Sequence, residues 1–441
     1  MKKLCFFSAL VLAPCFFGTM KAQEVLDITL EKAIEIALAE NPTIRVADKD
    51  IQLKKIADTE AWQQLLPTVS VNGSIQHTLK AAVMKLNGQE FQMGRDGVNT
   101  AALSGSLNLP IFAPAVYQNM KLTKEDIKLA EEKARSSRLD LVNQVTKAYY
   151  SLLLSEDALK VMTEAYNVSK EAYDNVSAKF NVGKVSEYDQ LTAEVQMRTM
   201  SSSMISAEGG VTLAELQLKV LMGITTDVKL VPQEKLRDYE SQLTMLNATA
   251  QADELLNNSA LRQLDLNQSL LERSLKIQRT SFMPTLSLQL TGQYQSLYND
   301  DWNIPKYDWS PSASFTINLN VPIFTASNWT KLKSAKVRIA QLQDTRVNTE
   351  RQLSMAASSY RKNMQTCLAE LESDRQAIEQ ADKAVNISSK RYEVGRGTVL
   401  DMNQSQLALT QAQLTYDQAV YNFLTNRADL DLTLGKETYT K

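Results

Sequence analysis
The sequence predicts a mainly α-helical protein with a small β part, in which long coiled-coil hairpins carry four strands. Three observations predict this. The 441 residues include only 14 Gly and 10 Pro, with long tracts of Ala, Leu, Gln, Glu, Lys and Ser, the usage of long helices. Apolar or small residues recur on a 3.5-residue seam through two long stretches. Four short segments alternate strictly between apolar and polar residues.

The chain also says one thing twice. Leu107 to Phe112 (LNLPIF) returns as Leu319 to Phe324 (LNVPIF), and Phe180-Asn181-Val182-Gly183-Lys184 as Tyr392-Glu393-Val394-Gly395-Arg396, both at an offset of 212 residues. Pro67-Thr68-Val69-Ser70-Val71 returns as Pro284-Thr285-Leu286-Ser287-Leu288 at an offset of 217 residues, so one loop of the first copy is about five residues longer. A repeat this long exceeds the roughly 20–50 residues of a solenoid unit. It predicts two structural repeats, about 27–230 and 246–435, within a single unit spanning 23–441.

At the N-terminus, Lys2 and Lys3 precede an apolar run from Leu4 to Phe17, and Ala22-Gln23 offers a small-residue cleavage point. This pattern predicts a signal peptide over 1–22. Leu12-Ala13-Pro14-Cys15 resembles a lipoprotein cleavage box with a poor residue, Pro14, before the cysteine. After the leader only Cys367 remains, which excludes an internal disulfide or a cysteine metal cluster. No later apolar stretch reaches the length of a spanning helix. A formal charge of −2 without a basic cluster argues against nucleic acid as a partner.

Val69, Val71 and Ile75 interleave with Ser70, Asn72, Ser74 and Gln76, and Leu103, Leu107 and Leu109 with Ser104, Ser106 and Asn108. Leu286, Leu288 and Leu290 alternate with Ser287, Gln289 and Thr291, and Phe315, Ile317, Leu319 and Val321 with Ser314, Thr316, Asn318 and Asn320. Period two puts one set on each face of a strand. A half-buried sheet on a soluble core would also alternate. The polar set, however, is almost wholly uncharged, as a water-filled lumen requires, and the segments match the roughly ten residues of a tilted membrane strand. Tyr294, Tyr298, Trp302, Tyr307 and Trp309 cluster around the second hairpin as interfacial aromatics would. Lipid tolerates only closed barrels, and four strands cannot close into a pore. If the strands are in membrane, several copies must share one barrel, and three copies would supply twelve strands.

The helical seam runs through Leu141, Val145, Ala148 and Leu152 to Val176 and Phe180, and repeats from Leu353 and Ala357 to Ser388 and Tyr392. No proline or glycine interrupts Pro114 to Ala178, a helix on the order of 100 Å long if continuous. Each long helix ends at a short break beside Gly183 or Gly395, where glycine permits a left-handed stop. Ser186 and Thr398 are candidate N-caps. Basic Lys184 and Arg396 flank the glycines. Asp189 and Asp401 sit at matched positions in the following helices, where a helix N-terminus favours acid and where a pore mouth would use a carboxylate ring to favour cations.

The doubled layout, the P-I-F element after strands two and four, and the tip pattern Y-x-V-G-x-G-T-x-x-D at Tyr392 to Asp401 resemble the TolC-type outer-membrane efflux proteins over essentially the whole mature chain. That resemblance implies a homotrimer: a trimeric α-helical barrel in the periplasm joined to a shared 12-stranded transmembrane β-barrel, four strands per chain. It implies outer-membrane lipid around the barrel, a periplasmic adaptor at the tips and an inner-membrane pump of RND or ABC type, with no cofactor and no metal. Carried over by position, Asp401 matches the first of two constricting aspartates and Gln404 replaces the second. Asp189 matches an aspartate, and Tyr392 a tyrosine, of the latch that ties the closed state. Gly397 stands where an arginine is frequent, with Arg396 one residue earlier. The implied gate is therefore Asp189, Asp401, Gln404, Tyr392 and Arg396. The implied docking tips are Val182, Gly183, Lys184, Val394, Gly395, Arg396 and Gly397. Ala113-Pro114 and Thr325-Ala326 depart from the family's acidic-glycine continuation after P-I-F.

The implied function is an outer-membrane exit duct passing drugs or other small molecules, with polypeptide secretion as the alternative cargo. A periplasmic coiled-coil adaptor or scaffold explains the helices but not four alternating strands. An enzyme would have to use His77, the single histidine, beside which no nucleophile or acid stands out.

Overall fold
The computed structural model describes residues 24–86, 88–224, 228–240, 243 and 255–437, and the expected leader, including Cys15, lies outside them. In chain order come β1 (Glu24–Ile28), α1 (Leu30–Glu40), α2 (Pro42–Gln63), β2 (Thr68–Thr78), β3 (Ala82–Leu86), β4 (Gln89–Met93) and β5 (Val98–Phe112). Next are α3 (Pro114–Asn181), α4 (Glu187–Met222), β6 (Val228–Pro232), a 3-10 turn at Leu236–Tyr239 and α5 (Ser259–Thr280). The chain closes with β7 (Thr285–Asn299), β8 (Ser310–Asn320), α6 (Ala326–Glu393) and α7 (Val399–Leu434). The fold is thus mainly α with a small β part. Helices α3 and α6 are each 68 residues long, and α4 and α7 each 36 residues.

The seam explains why the long helices hold together. Every seam position named above is buried or half-buried in both copies. Around it, α6 leaves most of its other faces exposed. Helix α3 differs, because Val142, Tyr149, Tyr150 and Leu153 are also buried beside the seam. Among the described residues, no helix is long and apolar enough to cross a membrane.

Contacts divide the chain into two compact units, each drawing on three separate segments of the chain. The first comprises the described residues of Met1–Ala37, Val145–Leu246 and Ala369–Tyr421. In it β1 pairs in parallel with β6, two strands that alternation did not reveal. Glu234 fastens them: its Oε2 accepts from Leu30 N at 3.3 Å, Tyr149 Oη at 2.9 Å and Tyr239 Oη at 2.7 Å. Burial and the nearby Glu234 carboxylate push both phenols well above their ordinary range, so they remain donors. Glu234→Ala strands Leu30 N and the Tyr239 hydroxyl, while Tyr149 keeps the Ile28 carbonyl at 3.3 Å, and should cost roughly 3 kcal/mol, at 1–3 kcal/mol per unsatisfied group. A lowered midpoint in thermal unfolding by circular dichroism checks this, and an unchanged midpoint contradicts it.

The second unit comprises the described residues of Leu38–Gln144, Asn247–Leu368 and Asn422–Lys441. Ion pairs tie its helices, Lys54 to Asp126 at 2.9 Å, Arg273 to Glu125 at 3.6 Å and Arg346 to Asp265 at 2.6 Å. Its four-stranded antiparallel sheet has the order β2-β5-β7-β8. The register carries one row of like residues across all four strands. Val69, Leu107, Leu290 and Phe315 align on one face, and Ser70, Ser106, Thr291 and Ser314 on the other. The polar face bears serine, threonine, asparagine and glutamine, and the apolar face is exposed on β2 and β8 and partly exposed on β5 and β7. The outer edges of β2 and β8 have no strand beside them among the described residues.

Two expectations need correction. The first P-I-F element does not follow a strand: Pro110 to Phe112 lie inside β5, at a register irregularity where the Pro110 ring cannot donate to the ladder. The second, Pro322 to Phe324, does leave β8 and is exposed. Tyr307 is not interfacial but buried, because its hydroxyl donates to the Asp301 carbonyl at 2.7 Å. The extra residues of the first inter-strand loop hold the β3–β4 hairpin, where the second copy has a 3-10 turn at Ile304–Lys306. A second aromatic group, missed in the sequence, lies at the strand–helix junctions, where Phe282 meets Trp329 edge-on at 5.1 Å.

Candidate constriction at the hairpin tips
The two tips belong to the first unit and are built alike. Gly183 (φ 71°) and Gly395 (φ 72°) take the left-handed conformation. Behind them Gly183 N donates to Phe180 O at 2.8 Å and Lys184 N to Lys179 O at 2.9 Å. Gly395 N donates to Tyr392 O at 3.1 Å and Arg396 N to Arg391 O at 2.8 Å. This paired pattern satisfies the last carbonyls of a helix with glycine just past its end. Val182 and Val394, 68% and 69% exposed, protrude at matched positions.

Past each glycine the chain re-enters a helix through a reciprocal cap. Asp189 N donates to Ser186 Oγ at 3.2 Å, and Ser186 N and Oγ donate to Asp189 Oδ2 at 3.3 and 2.7 Å. Asp401 N donates to Thr398 Oγ1 at 3.1 Å, and Thr398 N returns a bond to Asp401 Oδ2 at 3.0 Å. Both predicted aspartates thus close the first turn of their own helices. The Thr398 backbone N–H, the Thr398 side chain and the Arg391 charge hold the Asp401 carboxyl below its usual range. It is an anion across the neutral range, on an exposed surface.

Beneath the tips, Val176, Ala193 and Val399 form a small core against which Tyr173, Val185 and Tyr392 pack. The structure therefore brings Tyr392 of the second hairpin onto the first. Lys179 Nζ lies over the Tyr392 ring, 4.4 Å from its centre. Burial, then the Asp189 charge, raises the phenol above its ordinary value. The hydroxyl itself makes no hydrogen bond among the described residues, so Tyr392 and Asp189 are neighbours without a latch bond.

Gln404 joins Asp401, Arg391 and Gly397 around a groove of about 330 Å³. It also lines a larger groove of about 530 Å³ with Leu191, Val195, Leu400 and Leu407. Gly397 packs tightly, since an added Cβ would stand 3.2 Å from Tyr392 N and 3.2 Å from Arg391 Cβ. Among the described residues no ion pair links Arg396 to Asp401, and the cation facing that carboxylate is Arg391. Arg391 and Lys179 were missed because a basic last turn is ordinary helix chemistry. In the second unit, His77 stacks on Trp302 at 5.4 Å and its Nδ1 lies 2.8 Å from Asn99 Oδ1, a structural setting.

Three comparisons bear on this architecture. A family model described as outer membrane efflux protein matches residues 33–224 and again 251–436. Outer membrane protein TolC of Escherichia coli K12 is 23% identical over 419 residues, covering 92% of this chain and 82% of its own length. Cobalt-zinc-cadmium resistance protein CzcC of Cupriavidus metallidurans is 21% identical over 422 residues, covering 93% and 90%. The Campylobacter jejuni CmeC outer membrane channel superposes with a TM-score of 0.71 at 17% identity, over 98% of this chain and 94% of that one.

Proposed function
Because the chain belongs to the outer membrane efflux protein family, we propose that it is the outer-membrane exit duct of a tripartite efflux system, assembled as a homotrimer. The observation that carries the reading is the sheet: a continuous apolar face, an uncharged polar face and two open edges. In lipid those edges must find partners. Three copies joined edge to edge close twelve strands around the polar face, leaving the apolar face to lipid. The two repeats, about 27–230 and 246–435, then alternate around one wall. A conduit of this kind needs no catalytic group.

We place the gate on Asp189, Asp401, Gln404 and Tyr392, with Arg396 beside it. Val182, Gly183, Lys184, Val394, Gly395, Arg396 and Gly397 form the surface met by a periplasmic adaptor, behind which stands an inner-membrane pump of RND or ABC type. The cargo we favour is small molecules such as drugs, because the larger groove near the tips carries apolar and neutral polar side chains.

The test is conductance of the purified protein in planar bilayers. Trimers from outer membranes should open discrete cation-favouring channels, and a monomeric or non-conducting protein defeats the duct. Asp189→Asn with Asp401→Asn keeps a capping oxygen at each site and removes the charge. The double variant should lose cation preference several-fold. Unchanged selectivity would reject these carboxylates as the constriction while leaving the duct intact.

A further inference from the structure
Away from the tips, α3, α7 and residues 235–240 enclose two carboxylates that the duct reading does not use. Asp417 on α7 is 1% exposed, and its Oδ1 has no hydrogen-bond partner. Asp157 on α3 likewise has a buried Oδ2 with no partner. Arg237 Nε stands 4.0 Å from Asp417 Oδ1, beyond hydrogen-bonding distance. At the 212-residue offset the matching positions are Ala369 and Ile205, so the pair is no part of the repeated seam.

The charges around the pair do not neutralise it. Asp417 faces Asp157 and Lys160 from α3, and Arg237 and Glu240 from the 235–240 segment. Asp157 also faces Lys235 and Asp238, and its neighbour Glu156 adds a further acid. Glu240 is engaged by the Tyr416 hydroxyl. Burial is the largest influence on both carboxyls and drives them upward, Asp417 to about 6.

We propose that Asp157 and Asp417 form a proton-binding pair that makes the packing of α7 against α3 and the 235–240 segment depend on pH. Two partly buried carboxylates that feel each other's charge resist joint ionisation, so a proton taken up by the pair relieves their repulsion. Local opening returns Asp417 to water, where its value falls back to 3.8. The packed form therefore binds the proton more tightly than the open form. Packing is firmest in acid, loosens as pH climbs from 3.8 toward about 6, and changes no further above that.

Hydrogen exchange by mass spectrometry on the full chain in detergent micelles, corrected for intrinsic rates, tests the pair. One-proton linkage changes an opening constant up to about tenfold per pH unit. Peptides spanning Asp157 and Asp417 should thus open roughly ten- to hundredfold more at pH ~7 than at pH ~4. Asp417→Asn, similar in shape and permanently neutral, should exchange slowly at both. Arg237→Gln should move the transition to higher pH, because its cation favours the ionised form. A pH response that survives in Asp417→Asn, fast exchange of that variant at both pH values, or an unmoved midpoint in Arg237→Gln would each overturn the proposal.

Discussion

Phe315→Arg is expected to leave the protein folded in its helices and absent from the outer membrane. Phe315 sits on the apolar face of β8, opposite Leu290, and is exposed in the single chain. A lipid-facing arginine near the bilayer midplane costs about 2–4 kcal/mol per copy, and a trimer carries three. The neighbouring Ser314→Arg is the control. Ser314 pairs with Thr291 on the polar face, so an arginine there meets water, inserts normally and shifts ion selectivity instead. Membrane fractionation and far-ultraviolet dichroism separate the outcomes. If Phe315→Arg inserts as readily as Ser314→Arg, the assignment of faces is wrong.

Gly435→Ala is expected to damage the fold far more than Gly395→Ala, although the two backbones match at φ 66° and 72°. An alanine in the left-handed region costs roughly 1–2 kcal/mol by itself. At Gly395 nothing stands within 4 Å of the added Cβ, so backbone strain is the whole effect. At Gly435 the Cβ collides with the backbone carbonyl of Asn257. Asn258, the next residue, caps α5 through Leu261 N at 3.1 Å and donates to Thr433 O at 2.7 Å. Displacing that strand of backbone removes a cap as well, for a combined loss of about 3 kcal/mol or more. Thermal midpoints of the two variants decide it, and equal shifts would refute the steric argument.

Periodicity carried most of the fold. The seam from Leu141 to Phe180 and the alternation from Phe315 to Asn320 are set by 3.5- and 2-residue repeats that survive without tertiary knowledge. What escaped were elements with no period to show. Strands β1 and β6 are five residues each, too short to alternate legibly, and they pair beside Glu234, which gathers donors from three separate segments. At the tips, the glycine stops and N-caps were legible because their chemistry is local. The pairing of Tyr392 with Lys179 was not, since it joins side chains 213 positions apart in the chain. Asp189 and Asp401 show why the candidate gate was only half visible: an aspartate three residues past a serine or threonine is already explained by its cap.

The open edges of β2 and β8 also govern the time before assembly. Neither Thr68–Thr78 nor Ser310–Asn320 carries a charged residue, the device by which edge strands ordinarily repel a stranger. A newly made chain therefore presents two sticky backbone edges, which in the proposed assembly another copy in the correct register covers, while lipid takes the apolar rows. Correct closure is a multi-body encounter, so its rate falls steeply with dilution while adhesion to unrelated strands does not. Low expression should consequently favour aggregates and a demand for chaperones over channels.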